Sequence, residues 1–534
     1  MPPSHIAPHL ERLPGGGLPV LRRHFLRGAV TLATASLVPP ALSRRARAQV
    51  RFTGYPFTLG VASGCPLPGS VVLWTRLAPE PLNGGGMEPG RVEVQWEMAR
   101  DEHFHAVVQQ GSVWTSHELG HSVHVEVHGL EPASWYWYRF LVRDDVSPVG
   151  RTRTAPAVNA RLERFRFAVA SCQHFEQGYF SAYRHMAEEN VELVIFVGDY
   201  IYESSGSENL VRRHAGPEPQ TLGEYRNRYA QYRSDPDLQR MHAQVPWLVT
   251  WDDHEVDNDY ANEQSEHLDP QFLLRRAAAY QAYYEHMPLR HSARPHGPHL
   301  RLYERYAFGN LLQVYMLDDR QYRSPQVCPR PGIGGSTLVQ SASCAELRDP
   351  MRTLLGAAQE TWLMEALGAS QTRWNVLAQQ TLMAQIDWQS GAGQAFWTDA
   401  WSGYPAARAR LLSFLAQQAP ANPLVVGGDV HSNWVCDLKP DFDDPRSPVV
   451  ATEFCGTSIT SSGIPQERLD AARADNPHVK LANSEKRGYV HIDLTPERCD
   501  AHLRVLDSVK KRHSTLTTLA SFVVENGRPG ALPA

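Results

Sequence analysis

The sequence predicts a mixed α/β domain preceded by a small antiparallel β-sandwich. Three observations lead there. Apolar and polar residues alternate with period two between Phe52 and Arg153. Further on, apolar strands alternate with helical stretches, and four of those strands end in side chains able to hold metals. At 534 residues the chain exceeds one ordinary core, so two domains are expected.

Residues 1–48 read as a twin-arginine export leader and not as part of the fold. Arg22 and Arg23 precede Phe25-Leu26, a mildly apolar stretch from Gly28 to Val38, and Ala46-Arg47-Ala48 as a cleavage site. Arg44, Arg45 and Arg47 suit that route, which carries proteins already folded around their metal. An arginine-rich tail is the bland alternative. The expected location is periplasmic or extracellular, with the twin-arginine machinery as a transient partner. Removing the leader takes seven arginines and one glutamate from 52 basic and 57 acidic residues, leaving a net charge of −11. Such a surface repels nucleic-acid backbones and anionic lipid. Phosphate must then be held by local charge, most simply by metal. No apolar run after the leader has membrane-spanning length.

Residues 49–153 carry the period-two strands, among them "SVVLWTRL", "RVEVQWEMA" and "HSVHVEVHGL". In "GLEPASWYWYRF" a leucine and a proline precede alternating aromatics, the look of an immunoglobulin- or fibronectin-III-like tyrosine corner. The aromatic stripe is read as core packing before ligand platform. Residues 154–163 form a polar linker, 164–510 the α/β domain and 511–534 a C-terminal tail. Strands are expected at "FRFAVASC", "ELVIFVGD", "PWLVTWDD", "NLLQVYMLDD", "RWNVLAQQ", "NPLVVGGDVH", "VATEFCG" and "YVHIDL". Helices are expected at "FSAYRHMAEEN", "PQFLLRRAAAYQAYYEHM" and "AAQETWLMEALGAS". Seven cysteines in an exported chain invite disulfides, with Cys328–Cys344 the first pair to consider and Cys436–Cys455 a weaker one.

Four strands end in potential ligands: at Cys172, at Asp199 with Tyr202, at Asp252, Asp253 and His254, and at Asp429 with His431. Taken singly, a carboxylate at a strand end is more often a helix cap and a cysteine a small core residue. Four on successive carboxyl edges argue for a site. A phenolate beside a thiolate favours a highly charged ion, typically Fe(III). Asp253, Asp429 and the amide of Asn258 suit a harder divalent ion such as Ca²⁺, Mn²⁺ or Mg²⁺, with Asp199 as the natural bridge. Two ions about 3.5–4 Å apart clamp phosphorus for in-line displacement.

The blocks "GDYIYE", "WDDHEVDNDY", "YQAYYEHMP", "LDDRQYR", "RWNVLAQQ" and "GGDVHSNW" resemble PhoD-type alkaline phosphatases, within the calcineurin-like metallophosphoesterases. Asp199 and Tyr202 also match the GDxxY motif of purple acid phosphatases, whose tyrosine binds Fe(III). The resemblance implies a four-layer α-β-β-α metallophosphoesterase sandwich with one ferric ion and one or two calcium ions. Cys172, Asp199, Tyr202 and His431 would hold iron; Asp199, Asp253 or Asn258, and Asp429 would hold calcium. His254 stands where the superfamily's GNH[D/E] motif has its histidine, and would contact the transferred phosphoryl group or protonate the leaving oxygen. That motif's asparagine is Asp253 here, which leaves the choice between Asp253 and Asn258 open. A disulfide at Cys172 is the alternative to iron, leaving an ordinary divalent pair such as Mn²⁺ or Zn²⁺.

Arg320 and Arg323 either hold the substrate phosphate or pair with Asp318 or Asp319. The remaining histidines of the 24 are expected mostly at the surface, and Arg212–Pro219 as a solvated insertion in preference to a loop over the site. The reading that emerges is an exported alkaline phosphatase and phosphodiesterase, with metal-bound hydroxide attacking phosphorus in line. One rival restricts it to diesters, on the phospholipase D pattern, acting on phospholipid or teichoic-acid-like polymers. A rival of another class is a non-catalytic cell-surface polymer-binding protein, which the intact ligand set disfavours.

Overall fold

A computed structural model describes residues 53–534; the expected export leader lies outside the described residues. Val50–Ala534 is one compact unit. Two large sheets organise it. In spatial order the first has ten strands: Arg528–Pro533, Leu516–Glu525, Arg498–Leu506, Arg487–Leu494, Phe165–Ala170, Leu193–Phe196, Trp247–Val249, Val61–Leu67, Ser70–Arg76 and Ser122–His128. The second has seven: Glu304–Phe308, Leu312–Met316, Trp374–Ala378, Pro423–Gly427, Ala451–Cys455, Asn433–Leu438 and Val479–Asn483. Mid-sheet strands run parallel in both and are largely apolar because both faces are covered, polar residues such as Gln313, Asn375 and Glu453 being buried among them.

Alternation along the second sheet separates two cores. Val314, Val376, Val426 and Phe454 join a core with Phe167, Val169 and Ile195 of the first sheet. Tyr315, Leu377, Val425 and Cys455 point the other way, onto Leu363 and Leu367 of the helix Gly356–Gly368 and Leu411 and Leu415 of Pro405–Gln418. The outer side of the first sheet takes Tyr225 and Tyr229 of Leu222–Arg233 and Tyr280 and Tyr283 of Phe272–His286. Among the described residues no helix is long and apolar enough to cross a membrane.

Two expectations need correction. The N-terminal strands do form two facing sheets, with Val71, Leu73 and Val125 packed against Val94, Tyr138 and Phe140. The Tyr136 hydroxyl accepts the Glu131 N–H at 2.9 Å, so the aromatic stripe packs and caps as a core element. Yet one of these sheets is continuous with the ten-stranded sheet. Gly64 lies opposite Trp247, and a Cβ there would approach the Pro288 carbonyl to 2.6 Å, so the join requires glycine. Trp74 also reaches across, donating to the Glu285 carbonyl at 3.0 Å under the Arg233 guanidinium. The expected tail, 511–534, is the second correction: it forms the two strands Leu516–Glu525 and Arg528–Pro533. Cys328 and Cys344 are bonded, whereas Cys436 and Cys455 remain free on neighbouring strands.

Candidate metal centre

The parallel strands of both sheets deliver their carboxyl ends to one edge, and the chain turns sharply there. Cys172, Asp199, Asp429 and His431 all adopt left-handed backbone conformations, with φ of 58°, 57°, 64° and 51°. For residues with a Cβ this is uncommon and costs on the order of 1–3 kcal/mol each, so a cluster of four marks a functional edge. Gly198 (φ 112°) lets the Asp199 turn approach its neighbour, since a Cβ there would lie 2.4 Å from that of Asp252.

The side chains gather in overlapping groups. Donor atoms of Cys172, Asp199 and His431 lie within 4.8 Å of one another, as do those of Asp199, Asp253 and His254, and those of Asp252, Asp253 and Asp429. Asp199 belongs to the first two groups and so sits where a bridge must. The Tyr202 hydroxyl donates to Asp199 Oδ2 at 2.7 Å and lies 3.0 Å from His431 Nε2. The Ser461 hydroxyl stands 2.7 Å from the Tyr202 oxygen and 2.8 Å from the Cys172 carbonyl. Cys172 is a free thiol, which removes the disulfide alternative within this fold.

Charge is badly balanced without a cation. Burial and mutual repulsion hold Asp252 and Asp429 well above the usual carboxylate range, against the attraction of Arg320. Asp253 is raised for the same reasons. Burial, then the charge of Asp199, pushes the Cys172 thiol and the Tyr202 phenol well above their usual ranges. Asp199 itself falls to about 2, because His254 and His431 outweigh its burial. Its Oδ1, like Asp252 Oδ2, is buried with no hydrogen-bond partner. Orphaned carboxylate oxygens beside a thiol, a phenol and an imidazole fit cations as the missing partners.

Three residues that sequence reasoning did not assign to the site, Glu203, Glu255 and Asp399, hold it together with Asp252. Glu203 accepts His254 Nδ1 at 2.7 Å, and burial of the pair raises no barrier that Glu203, Asp253 and Asp199 do not overcome, so the imidazole is held well above its usual pKa. Glu255 accepts the backbone N–H groups of Asp199, Tyr200 and Asp252, tying two ligand turns together. Asp252, a potential ligand by its place at a strand end, stands among the donors. Asp399 receives Arg320 Nη1 at 2.8 Å and Arg323 Nη1 at 2.7 Å. Glu203 and Glu255 sat in plain view inside "GDYIYE" and "DDHE"; Asp399 had no local signal.

Arg320 and Arg323 are buried ion-pair residues: Arg320 pairs with Asp252, Asp399 and, at 3.6 Å, Asp253, and Arg323 with Asp399, neither with Asp318 or Asp319. The Asn258 amide donates to Glu266 at 2.9 Å, whereas Asp253 stands with Asp252 and Asp429. Arg212–Pro219 is solvated in part, with Arg213 and Ala215 to Glu218 exposed, but Arg212 stacks 3.8 Å over Phe175 and His214 packs beside His174, whose ring is 4.4 Å from that of Tyr202. Most of the described histidines do reach the surface, but His121, His124, His174, His242, His286 and His478 are buried.

Comparison with known proteins agrees with this geometry. The PhoD-like phosphatase profile matches residues 167–503, and that of the PhoD-like phosphatase N-terminal domain matches 43–156. Over 524 residues the chain is 46% identical to alkaline phosphatase D of Bacillus subtilis, covering 95% of this chain and 88% of that protein. A solved structure of PhoD superposes with a TM-score of 0.86 at 46% identity, covering 91% of this chain and 93% of that one.

Proposed function

The chain belongs to the PhoD-like phosphatase family, and from that premise we propose that it is an exported, metal-dependent alkaline phosphatase and phosphodiesterase. The observation that carries this reading is Asp199, shared between a thiol–phenol–imidazole group and a carboxylate group. On this reading Cys172, Asp199, Tyr202 and His431 hold Fe(III), and Asp199, Asp252, Asp253 and Asp429 hold one or two Ca²⁺. Mn²⁺ or Zn²⁺ are the alternatives. Bound there, the cations would acidify water and neutralise phosphoryl oxygens.

The chain's own residues supply the rest. Glu203 occupies His254 Nδ1, which leaves Nε2 as the proton donor toward a phosphoryl or leaving oxygen. Arg320 stays with Asp252 and Asp399 and positions the carboxylates in place of substrate. The two sheets with helices outside each support the four-layer α-β-β-α reading, and the N-terminal strands an immunoglobulin-like sandwich fused to it. The leader-like residues 1–48 and the Cys328–Cys344 bond support export to an oxidising compartment by the twin-arginine route.

The visible spectrum of protein purified without chelators tests the metal. A broad band lost in Tyr202→Phe establishes a ferric phenolate; a colourless, active protein replaces iron by a divalent pair. Hydrolysis of a chromogenic diester, absent in folded Asp199→Ala, tests the activity, and a comparison with monoesters separates the diester-restricted enzyme from the broader one.

A further inference from the structure

Beside the candidate ligands Asp429 and His431 opens a pocket of about 260 Å³ whose other walls are Leu338, Leu382, Trp388, Trp397, Val430, Trp434 and Ile464, with Arg468 at its edge. Of its polar groups, the Ser432 hydroxyl is engaged within the protein, donating to the Val430 carbonyl at 2.8 Å and accepting Trp434 Nε1 at 2.9 Å, while Ser462 is exposed at the wall. What the pocket offers a ligand is mostly aromatic and aliphatic surface, continuous with the candidate metal centre. Trp388 and Trp434 meet edge to face, with centroids 6.2 Å apart at 84°. Trp397 is 42% exposed and forms the lip together with Leu338, its cross-strand partner on a two-stranded ribbon.

We propose that this pocket is the subsite for the organic group of the phosphoester, and that it selects an uncharged aryl ring. The inference rests on the phosphoesterase reading of the centre. Volume argues for one ring and against a polymer segment, since sites for drug-sized ligands run to about 300–1,000 Å³. Tryptophan walls argue for an aromatic occupant, because ring–ring contacts add to simple burial. Arg468, whose guanidinium lies 5.6 Å from the Trp388 ring and which makes no ion pair among the described residues, opposes a cationic head group. Asp429, Val430 and His431 line the same pocket, so a ring held there adjoins the candidate metal centre.

The test uses the full-length, metal-loaded protein. Binding of phenylphosphonate and methylphosphonate is measured by calorimetry, and turnover of phenyl and methyl phosphate esters alongside. Phenylphosphonate is expected to bind about tenfold tighter, the ratio that a ring contact of about 1.4 kcal/mol produces. Trp397→Ala, at the exposed lip where folding is least at risk, should bring that ratio toward one, and Trp388→Leu should do the same. Equal binding of the two probes by the unaltered protein overturns the proposal, as does a phenyl preference retained in both variants. The outcome is separable from that of the phosphoesterase reading. Hydrolysis without a phenyl preference leaves the activity standing and removes the subsite; a tryptophan-dependent phenyl preference without hydrolysis does the reverse.

Discussion

Glu203 Oε2 lies 2.7 Å from Nδ1 of His254, and both side chains are largely withdrawn from solvent. The contact fixes the imidazole's orientation and favours its charged form. Glu203→Gln removes the charge and keeps the shape. His254 is raised in the fold, so its protonated form is present at low pH and is lost as pH rises through the raised value. The variant should lose that form at lower pH, moving the alkaline limb of the rate profile toward acid. Activity should fall about 10–100-fold, as when the partner of a site histidine is removed. A pH–rate profile of both proteins decides it; an unmoved limb denies the pair any role.

Asp399 compensates two buried guanidiniums at once, and burial is outweighed by Arg320 and Arg323, which hold its carboxyl well below the usual range. Asp399→Asn leaves both cations short of charge. The expected loss is about 3–5 kcal/mol of stability, the cost of breaking a buried pair from one side. Urea denaturation measures it, and a loss under about 1 kcal/mol would mean that water or other carboxylates already serve the arginines.

Acid should weaken the fold through histidines far from the metal centre. His124 stacks on Tyr284 at 4.4 Å and bonds the Leu289 carbonyl through Nδ1, while burial lowers its pKa from 6.5 to about 3. A depressed folded value means stability that is whole above pH 6.5 and declines as the unfolded chain takes up the proton below it. Between pH 7 and pH 5 this one group should cost about 2 kcal/mol. Thermal melts of His124→Phe across that interval should show a shallower pH slope than those of the unaltered protein.

Removing metal should destabilise as well as inactivate. Four carboxylates, Asp199, Asp252, Asp253 and Asp429, crowd one edge, and a ligand bound only by the folded state adds about 2.7 kcal/mol at a hundredfold excess over its dissociation constant. Chelator should therefore lower the melting temperature, and Asp199→Asn should make the melt nearly insensitive to chelator. A melt of the unaltered protein that ignores chelator would count against cations as the missing partners.

How much of this was legible depended on how locally each feature is encoded. All eight α/β-domain strands read from the sequence are strands; seven have a parallel partner and are largely apolar because both faces are covered, while Arg487–Leu494 is antiparallel and shows alternating burial. The helix Leu222–Arg233 was not singled out: its buried face includes Arg228 and Arg233 beside three tyrosines, so burial and polarity part company. The ligands stood out since each ends a strand. Asp399 did not, because it meets Arg320 across 79 residues and follows a three-residue ribbon strand with no periodic pattern of its own. The strands at 516–525 and 528–533 looked like a tail since most of their residues are partly or fully exposed, although only 528–533 is the sheet's edge.

The ten-stranded sheet has a bearing on how the chain can be cut. A fragment beginning after the linker would keep every candidate ligand and still bare the Trp247–Val249 strand, whose outer neighbour is Val61–Leu67. It would also strip Trp74 and its neighbours from the helix pair at Leu222–Arg233 and Phe272–His286. Such a fragment exposes a sticky backbone ladder and invites aggregation. The catalytic half is thus no free-standing module to be trimmed or fused at will; during synthesis, the segment that emerges first must wait for the rest before either can settle.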